Sequence, residues 1–445
     1  MEKLVVAAIV SFSVIPIALL VNSIVPSPYM DEIFHIPQTQ KYCEWKFTSW
    51  DPMITTPPGL YIISLAYVAC LTPRFYPGGE ISSFSESCSY PVLRSVNCFL
   101  AVVCSVVVYE IICHLKPGSS HRTATIASVV LAMYPLHWFF TFLYYTDVAS
   151  LTAVLAMYLA CLKQQYRISA LIAIIAVFIR QTNIVCIGIL NKVQSHPIDS
   201  IKVDDSKPLF EETKQQLSIA KAGNTMRRRK LNVLPDDRKN SHATVDESSP
   251  DKSCGLLTEH QTVCLRAWMM KLELFLSFAP FLIVLLAFVV FVSWNGSVVL
   301  GAKEAHSVSP HFAQLMYFGI FSAFLMAPFH LSSGHISDML LALTKQPARS
   351  FCYILLTVSA CLIAVHSFSI AHPYLLADNR HYTFYLWRKL TMSHRSTKFF
   401  IVPAYVCSWF SIVHLLRKAQ TRIWVLAYLL ATAAVLVPAP LIEFR

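Results

Sequence analysis

The residues best suited to chemistry lie in one polar stretch, residues 29–61, between the first two apolar runs. Asp31 and Glu32 are adjacent carboxylates, and Asp51 follows Trp50 further along the same stretch. An ionised carboxylate at a membrane–water boundary is a poor anchor but a suitable general base, because it can take a proton from a hydroxyl group. Composition alone supports equally well an acidic loop that is merely hydrated.

Further groups of this kind lie in two later polar loops, 294–311 and 371–398. Their cations, histidines and aromatic residues are predicted on the same side of a membrane as Asp31: Lys303, His306, His311, His372, Arg380, His381, Tyr382, Trp387, Arg388 and Lys389. This mixture suits transfer of a sugar from a lipid phosphate, with a carboxylate deprotonating the acceptor hydroxyl and cations stabilising the departing phosphate. The three loops would have to converge, which the sequence alone does not show.

These residues also have purely structural interpretations. Aromatic residues near helix ends usually anchor a protein at the membrane surface, and Arg388 and Lys389 could simply extend toward the headgroups. His35 lies three positions after Glu32, so the two share a helix face as a structural pair or a metal pair. A metal site would need more ligands close by, and none is convincing, so no metal is expected.

Arg180 differs from the other cations because it lies inside an apolar run, AVFIRQTNIV. An arginine within a membrane is costly and therefore indicates a functional or paired role. A phosphate group or an acid such as Asp147 would suit it.

The composition indicates the elements that must position these groups. The chain has 445 residues, of which 55% are hydrophobic and 14% are charged, whereas soluble proteins average about 25% charged residues. It is therefore a polytopic membrane protein whose length suits roughly ten to twelve helices. The net charge of +11 suits contact with anionic membrane lipids, and nothing indicates a nucleic-acid partner.

Apolar runs predict the membrane spans. Segment 4–21 follows Lys3 without a small-residue cleavage site, and we interpret it as an uncleaved signal anchor. The other runs are 60–71, 91–115, 123–142, 148–162, 168–190, 272–292, 312–330, 350–370, 399–416 and 423–441. Segment 191–266, which is rich in both charge signs and contains the basic run 227–230, is predicted to be a disordered cytosolic loop.

The topology stays open at one point. A cytosolic N-terminus and six spans place segment 191–266 in the cytosol, as the positive-inside rule requires. That count puts the basic segments 116–122 and 163–167 on the lumenal side and Asp147 on the cytosolic side, against the rule. If 60–71 is instead re-entrant or interfacial, all three obey it, but 168–190 must then cross twice or break near Arg180.

Two further features bear on orientation. Cys43 and Cys88 lie in polar stretches, so a disulfide would form if both face an oxidising lumen, although we do not favour that pairing. Asn295-Gly296-Ser297 is an N-glycosylation sequon that fits a lumenal loop. It lies so close to the preceding span that glycosylation is expected to be sterically hindered.

Longer segments are more specific than single residues. MDEIFHIPQ and WDPMITTPPGLY, in stretch 29–61, closely resemble the dolichyl-phosphate-glucose α-1,2-glucosyltransferases of the endoplasmic reticulum. RQTNIV at 180–185, NGSVVLGAKEAHSVSPHFAQ at 295–314 and HPYLLADNRHYTFYLWRK at 372–389 also look like that family, in the expected order. Segment 201–259 diverges. Family members usually continue beyond the part that resembles 441–445, so a short further segment is expected.

The resemblance implies an all-α polytopic membrane protein with the GT-C glycosyltransferase fold. Residues 1–445 would form one domain of about 11–12 transmembrane helices, with segment 24–58 as the first lumenal, catalytic loop and 294–311 and 371–398 as further lumenal loops. It also implies an endoplasmic reticulum membrane protein with a lumenal active site.

The implied reaction is an inverting transfer of glucose from dolichyl phosphate glucose, in α-1,2 linkage, to the diglucosylated dolichyl-diphosphate-linked oligosaccharide. This would be the last glucosylation before protein N-glycosylation. No cofactor is expected, because the leaving group is a phosphomonoester on a lipid.

The resemblance also suggests roles for individual residues. Related enzymes use an acid of the first lumenal loop as the base, so Asp31 is the first candidate, ahead of Glu32 and Asp51. The candidates for contact with the donor phosphate are Arg380, His381, Lys303, His306 and Arg180. Trp50, Tyr382 and His35 are candidates for sugar or acceptor binding. Trp50 and Tyr382 could equally be packing residues.

Two other functions remain open. One is a GT-C mannosyltransferase that uses dolichyl phosphate mannose, because first-loop acids alone do not select the sugar. The other is a non-enzymatic accessory protein of a channel or transporter. Charges concentrated in loops favour chemistry at the interface over transport.

Overall fold

The structure, a computed structural model, describes residues 2–75, 81–186, 271–304, 310–369, 384–385, 387–391, 394, 396–419 and 422–438. Within these residues it consists of helices and connecting loops without β-strands, which confirms an all-α polytopic architecture. The predicted loop 191–266 and most of 371–398 lie outside the described residues.

The N-terminal half contains two long helices and several shorter ones. They are α1 (Glu2–Ile24), α2 (Glu32–Cys43), α3 (Gly59–Phe75), α4 (Ile81–Ser87), α5 (Tyr90–Leu115), α6 (His121–Ala132), α7 (Pro135–Thr141), α8 (Thr146–Leu162) and α9 (Tyr166–Ile179), the last followed by a 3-10 turn at Gln181–Asn183. Helices α1, α5 and α6 pack around a shared apolar cluster that includes Val10 and Tyr109.

The C-terminal half likewise contains both long and short helices. Its helices are α10 (Lys271–Asn295), α11 (Ala313–Leu325), α12 (Ala327–His330), α13 (Ser333–Thr344), α14 (Pro347–Ser367), α15 (Thr397–Phe400), α16 (Val402–Ala419) and α17 (Arg422–Leu436), with a π-helical turn at Trp387–Thr391. Phe281 and Val284 of α10 pack on Met157 and Ala173 and join this half to α8 and α9.

The apolar helices fall into two groups by length. Among the described residues, five helices are long and apolar enough to cross a membrane, or six if the bent pair α6–α7 forms one span. Five further apolar helices have 10 to 17 residues. A 14-residue helix rises only about 21 Å, less than the roughly 30 Å hydrocarbon core, so length alone does not establish the 11–12 spans that the resemblance implies.

Prolines interrupt segments that were each predicted as one span. The segment 123–142 bends by 66° between α6 and α7, just before Pro135. In the segment 312–330, α11 ends at Leu325 and α12 begins at Ala327, next to Pro328. Proline lacks the N–H that would continue the helix and clashes with the preceding turn, so the prediction of one continuous run over 312–330 was wrong. The segment 399–416 is interrupted only at Ile401, before Pro403, and Thr397–Lys418 is long and apolar enough to form one span, as predicted. Helix α13 was not predicted at all.

Helix α3 stays at one end of the bundle. That end, called the first-loop end below, carries residues 25–58. Gly59, at the start of α3, contacts the Phe178 backbone near the end of α9, and Tyr67 lies 3.1 Å from Ser95 near the start of α5. A disulfide joins Cys43 to Cys88, which directly follows α4. Because α4 is only about 10 Å long, α3 and α4 do not cross and return. The arrangement agrees with an interfacial 60–71.

The Cys43–Cys88 disulfide was the pairing that the sequence did not favour. It encloses α3 and α4 and fixes the end of α2 against the start of α5. The two cysteines lie 45 residues apart, and their proximity follows from the folding back of α3, which the apolar pattern does not reveal.

The opposite end of the bundle carries a cluster of basic residues. Glu110 of α5 pairs with Lys3 and, at 2.9 Å, with Lys163. The end of α5 and the first turns of α6 and α9 add Lys116, Arg122 and Arg167, whereas Asp147 lies at the first-loop end beside Arg180. With α3 interfacial, the segments 116–122 and 163–167 therefore share one end of the bundle.

Small residues explain the close packing of α8 and α9. Ala170, Ala173 and Ala176 recur at helical spacing on the buried face of α9, and the Ser169 hydroxyl donates to the Met157 carbonyl at 2.7 Å. Such faces let helix backbones approach closely within a membrane. Helix α9 then ends at Ile179, so the prediction of one run over 168–190 was wrong, while its alternative, a break near Arg180, is confirmed.

The break in α9 is stabilised by polar groups that follow it. Arg180 adopts an extended backbone conformation, and its N–H still donates to the Ala176 carbonyl at 3.0 Å. The Asn183 side chain donates to the same carbonyl at 2.8 Å and contacts the Ser150 hydroxyl. The sequence RQTN thus ends the helix and supplies a side chain that bonds to its last turn.

Candidate active site

The turn before α2 holds the adjacent carboxylates in a strained conformation. Met30 is buried and has a φ of 55°, in the left-handed region that residues other than glycine rarely adopt. The Tyr29 N–H donates to the Glu32 carboxylate at 2.8 Å and closes the turn. Strain of this kind persists only where surrounding contacts enforce it, and it concentrates at functional sites.

Glu32 points into the protein and forms a buried ion pair. Its carboxylate receives two hydrogen bonds from the Arg94 guanidinium, at 2.6 and 2.9 Å, and one from the Tyr144 N–H at 2.6 Å. The two charged side chains are 0% and 1% exposed. Arg94 also donates to the Asn22 side chain and to the carbonyls of Val25 and Ser27. The pair therefore joins α1, α2 and α5.

Asp31 is the N-terminal capping residue of α2, yet its carboxylate does not cap the helix. The N–H groups of Phe34 and His35 donate to the Asp31 main-chain carbonyl instead. An aspartate at this position normally accepts a backbone hydrogen bond through its side chain. Within the described residues no hydrogen bond or ion pair engages this half-buried carboxylate, so it is available to a ligand.

Asp51 is half-buried and held in a local turn. Its carboxylate accepts the Met53 N–H at 2.9 Å, and its own N–H donates to the Gln38 side chain at 3.0 Å. Gln38 also donates to the Ser49 carbonyl. Helix α2 therefore fixes the conformation of residues 49–51. The second carboxylate oxygen of Asp51 accepts no hydrogen bond among the described residues.

His35 and Trp50 both contact Tyr61. The His35 ring is 2.7 Å from the Tyr61 hydroxyl, and the Trp50 and Tyr61 ring centroids are 6.0 Å apart. His35 is buried, whereas the Trp50 side chain is half-buried. The Trp50 indole N–H is itself buried and has no hydrogen-bond partner among the described residues. Trp50 is thus the more exposed of the two.

Arg180 pairs with Asp147 at 3.0 Å, which is one of the two partners that the sequence offered. Both side chains are partly exposed, at 20% and 13%. Asp147 thus largely balances the charge of Arg180, so Arg180 is not an unpaired cation available to a phosphate.

The carbonyl oxygen of Thr55 joins three parts of the chain. It accepts the Gln181 side-chain N–H at 3.0 Å and the Leu300 backbone N–H at 3.2 Å. Gly301 packs directly on the Pro52 and Ile54 carbonyls. The first loop, the break after α9 and the loop after α10 therefore converge. Of the three loops whose convergence the sequence required, this brings together the first loop and 294–311, whereas most of 371–398 lies outside the described residues.

Lys303 lies on this converging loop, two residues beyond Gly301. It is exposed and donates to the Asn295 main-chain and side-chain oxygens at 2.6 and 2.8 Å. The Asn295 amide in turn donates to the Ser297 and Val299 carbonyls. These contacts engage the side chain of the sequon and hold the ammonium group of Lys303 at the end of α10.

Four of the predicted residues cannot be placed. His306, Arg380, His381 and Tyr382 lie outside the described residues. In the part of the chain that is described, no three potential metal ligands come together.

Sequence reasoning missed Arg94, Tyr145 and Gln181. Arg94 lies in an apolar run, so the rule that singled out Arg180 could have identified it. Tyr145, whose hydroxyl accepts the Asp31 N–H at 2.7 Å, is 114 residues away along the chain. A contact of that separation leaves no signal in one sequence.

Replacing Gly301 by alanine is expected to loosen the convergence of the loops. The added Cβ would collide with the backbone carbonyl oxygens of Pro52 and Ile54, which cannot move aside as a flexible side chain would. We expect a loss of about 1–3 kcal/mol in unfolding free energy, measured as a lower thermal unfolding midpoint of the purified protein.

Gly118→Ala is the matched control, because nothing lies within 4 Å of its added Cβ. Equal midpoints for the two variants would contradict the packing of Gly301 against the first loop.

The chain is similar to known proteins over almost all of its length. A family model described as the DIE2/ALG10 family matches residues 25–445. An Arabidopsis thaliana protein named Dol-P-Glc:Glc(2)Man(9)GlcNAc(2)-PP-Dol alpha-1,2-glucosyltransferase is 52% identical over 458 aligned residues, which cover 100% of this chain and 88% of that protein. Proteins of the same name from Mus musculus and Homo sapiens are 34% and 33% identical, covering 94% of this chain and 81% of each relative. No solved structure matches the chain.

Proposed function

The chain belongs to the DIE2/ALG10 family, and from this membership we propose that it transfers glucose from dolichyl phosphate glucose, in α-1,2 linkage, to the diglucosylated lipid-linked oligosaccharide. The family resemblance of the first loop is confirmed by a match that runs almost the full length of the chain. Relatives named as mannosyltransferases or as channel accessories are absent from the matches described above, so neither alternative has support.

The observation that carries the site assignment is the contrast between two adjacent carboxylates. Glu32 is buried and accepts four hydrogen bonds, so it is poorly placed to accept a proton from a substrate. Asp31, on the same turn, is half-buried, and its carboxylate engages no group among the described residues. We therefore assign Asp31 as the base, with Asp51 behind it and Glu32 as a structural anchor.

In the proposed reaction, the acceptor's terminal 2-hydroxyl attacks the anomeric carbon of the donor glucose. Asp31 takes the hydroxyl proton as the new carbon–oxygen bond forms and the bond to the phosphate oxygen breaks. Attack from the face opposite the leaving group converts the β-linked donor into an α-linked product. The products are the triglucosylated oligosaccharide lipid and dolichyl phosphate.

Cations near the converging loops would stabilise the departing phosphate. Lys303 is exposed on the loop that contacts residues 52–55, and this supports it as a phosphate contact. Arg180 is a weaker candidate because Asp147 already balances its charge. Arg380, His381 and His306 remain proposed on the resemblance alone, and so does Tyr382 as an acceptor contact. Trp50, whose buried indole N–H has no hydrogen-bond partner among the described residues, is proposed to bind sugar.

The chain is a multi-pass membrane protein, and we propose that its first-loop end faces the lumen of the endoplasmic reticulum. Two observations support this orientation. Disulfides such as Cys43–Cys88 persist in oxidising compartments. The opposite end carries Lys3, Lys116 and Lys163, and cytosolic ends of membrane proteins are enriched in such cations.

The test is transfer by the purified protein in detergent, with EDTA present. Synthetic dolichyl phosphate glucose and dolichyl phosphate mannose would be supplied in parallel, with the diglucosylated acceptor. We expect an α-1,2-linked product from the glucose donor only. A product from the mannose donor would point to the mannosyltransferase alternative, and no product from verified donors would point to a non-enzymatic role.

A further inference from the structure

We propose that the Tyr145 hydroxyl is a positioning group for Asp31, holding its main chain so that the carboxylate is presented to the acceptor. This inference rests on the proposed role of Asp31 as the base. The inference is based on one hydrogen bond of 2.7 Å, in which the Asp31 N–H donates to the Tyr145 hydroxyl oxygen.

The bond acts on a strained turn whose internal hydrogen bonds do not engage Asp31. Tyr29 and Glu32 bond to each other across the turn. Met30, one residue before Asp31, has its strained φ of 55°, and relaxation of that angle would rotate the following residue. Asp31 does not use its side chain to cap α2, so the turn lacks the contact that usually fixes an aspartate at a helix start. A contact from outside the turn therefore restrains the Asp31 main chain.

Two restraints act on either side of the Asp31 side chain. Glu32, on one side, is held by Arg94 and the Tyr144 N–H. On the other side, the Asp31 N–H is held by Tyr145. The Tyr145 side chain is itself 1% exposed, and its ring packs against those of His35 and Phe140. The Tyr145 hydroxyl is therefore held in one position, and its hydrogen bond restrains the main chain of Asp31.

Tyr144 provides a matched comparison in the neighbouring position. Its side chain is equally buried, and its hydroxyl contacts Ser64 at 2.6 Å and Thr39 at 3.0 Å, touching neither Asp31 nor Glu32. Burial raises the pKa of Tyr144, so this hydroxyl stays neutral and serves only as a hydrogen-bonding group. Removing it should weaken the fold without moving Asp31.

The experiment compares Tyr145→Phe with Tyr144→Phe in the transfer assay, with thermal unfolding measured alongside. We expect Tyr145→Phe to lower kcat by about tenfold, the effect of a small misplacement of a catalytic group, with both KM values within about twofold because no substrate contact is lost. Tyr144→Phe should keep kcat within about twofold while losing at least as much thermal stability. If Tyr145→Phe keeps the wild-type kcat, or if both variants lose kcat in proportion to stability, the inference is wrong.

Asp31→Glu separates this inference from the proposed function. Its extra methylene already displaces the carboxylate, so we expect a slow enzyme in which Tyr145→Phe costs less than about twofold more. A fully active Asp31→Glu would overturn the assignment of the base and the inference together. A slow Asp31→Glu with a fully active Tyr145→Phe would overturn the inference alone.

Discussion

Replacing Asp31 by asparagine is expected to reduce glucosyl transfer by about 10²–10⁴-fold, the range that a general base contributes. The amide has nearly the same size and cannot accept the acceptor's proton. The fold should survive, because no hydrogen bond among the described residues depends on the Asp31 carboxylate. Single-turnover transfer with saturating donor and acceptor measures the chemical step directly.

Asp51→Asn is the comparison for this prediction. Asp51 accepts a local backbone hydrogen bond that an asparagine side-chain oxygen can also accept, so its replacement should cost far less activity. If Asp51→Asn abolished transfer while Asp31→Asn preserved it, the base would be Asp51, and the free carboxylate on the strained turn would need another explanation.

The largest effect on stability is expected from Arg94→Met. This change leaves the Glu32 carboxylate buried at 0% exposure with no opposing charge. Removing one partner of a buried ion pair costs about 3–5 kcal/mol. It also removes the donors to the Val25 and Ser27 carbonyls, so the connection between α1 and α2 loses its restraint. We expect a much lower unfolding midpoint and poor recovery of folded protein in detergent.

Two variants test whether the unpaired charge is the cause. Glu32→Gln added to Arg94→Met removes that charge and should recover part of the stability. Arg180→Met breaks an ion pair whose side chains are 20% and 13% exposed, and solvent can compensate the carboxylate left behind, so its cost should be smaller. Equal losses for Arg94→Met and Arg180→Met, with no recovery in the double variant, would rule out this explanation.

Long apolar runs predicted where most helices lie, because burying or embedding such runs outweighs other local preferences. The breaks were less visible, although the sequence contained their cause. Pro135 and Pro328 each stand where a predicted span is interrupted. The composition of α3 did not reveal its fold-back, since an apolar helix lying at an interface has the same composition as one that crosses. Only the charges of the neighbouring loops offered an interfacial helix as an alternative.

The candidate site was predictable in its residue types but not in its division of roles. Asp31 and Glu32 are adjacent and chemically similar, and only the direction of each side chain decides that one is buried against Arg94. That direction depends on a turn with an unusual φ at Met30 and on a partner 114 residues away at Tyr145. Sequence reasoning placed the candidate chemistry in the first loop and ranked Asp31 first by position alone, whereas the structure adds that Glu32 is buried against Arg94.

The junction at Thr55 has a consequence for genetics. The atom that joins the first loop, the break after α9 and the loop after α10 is a main-chain oxygen, and every amino acid carries it. A mutational scan would therefore score position 55 as tolerant, and the intolerance would appear at Gln181 and Gly301 instead. An inherited variant at Thr55 would look harmless for the same reason, whereas the small, uncharged Gly301→Ala change would be the damaging one.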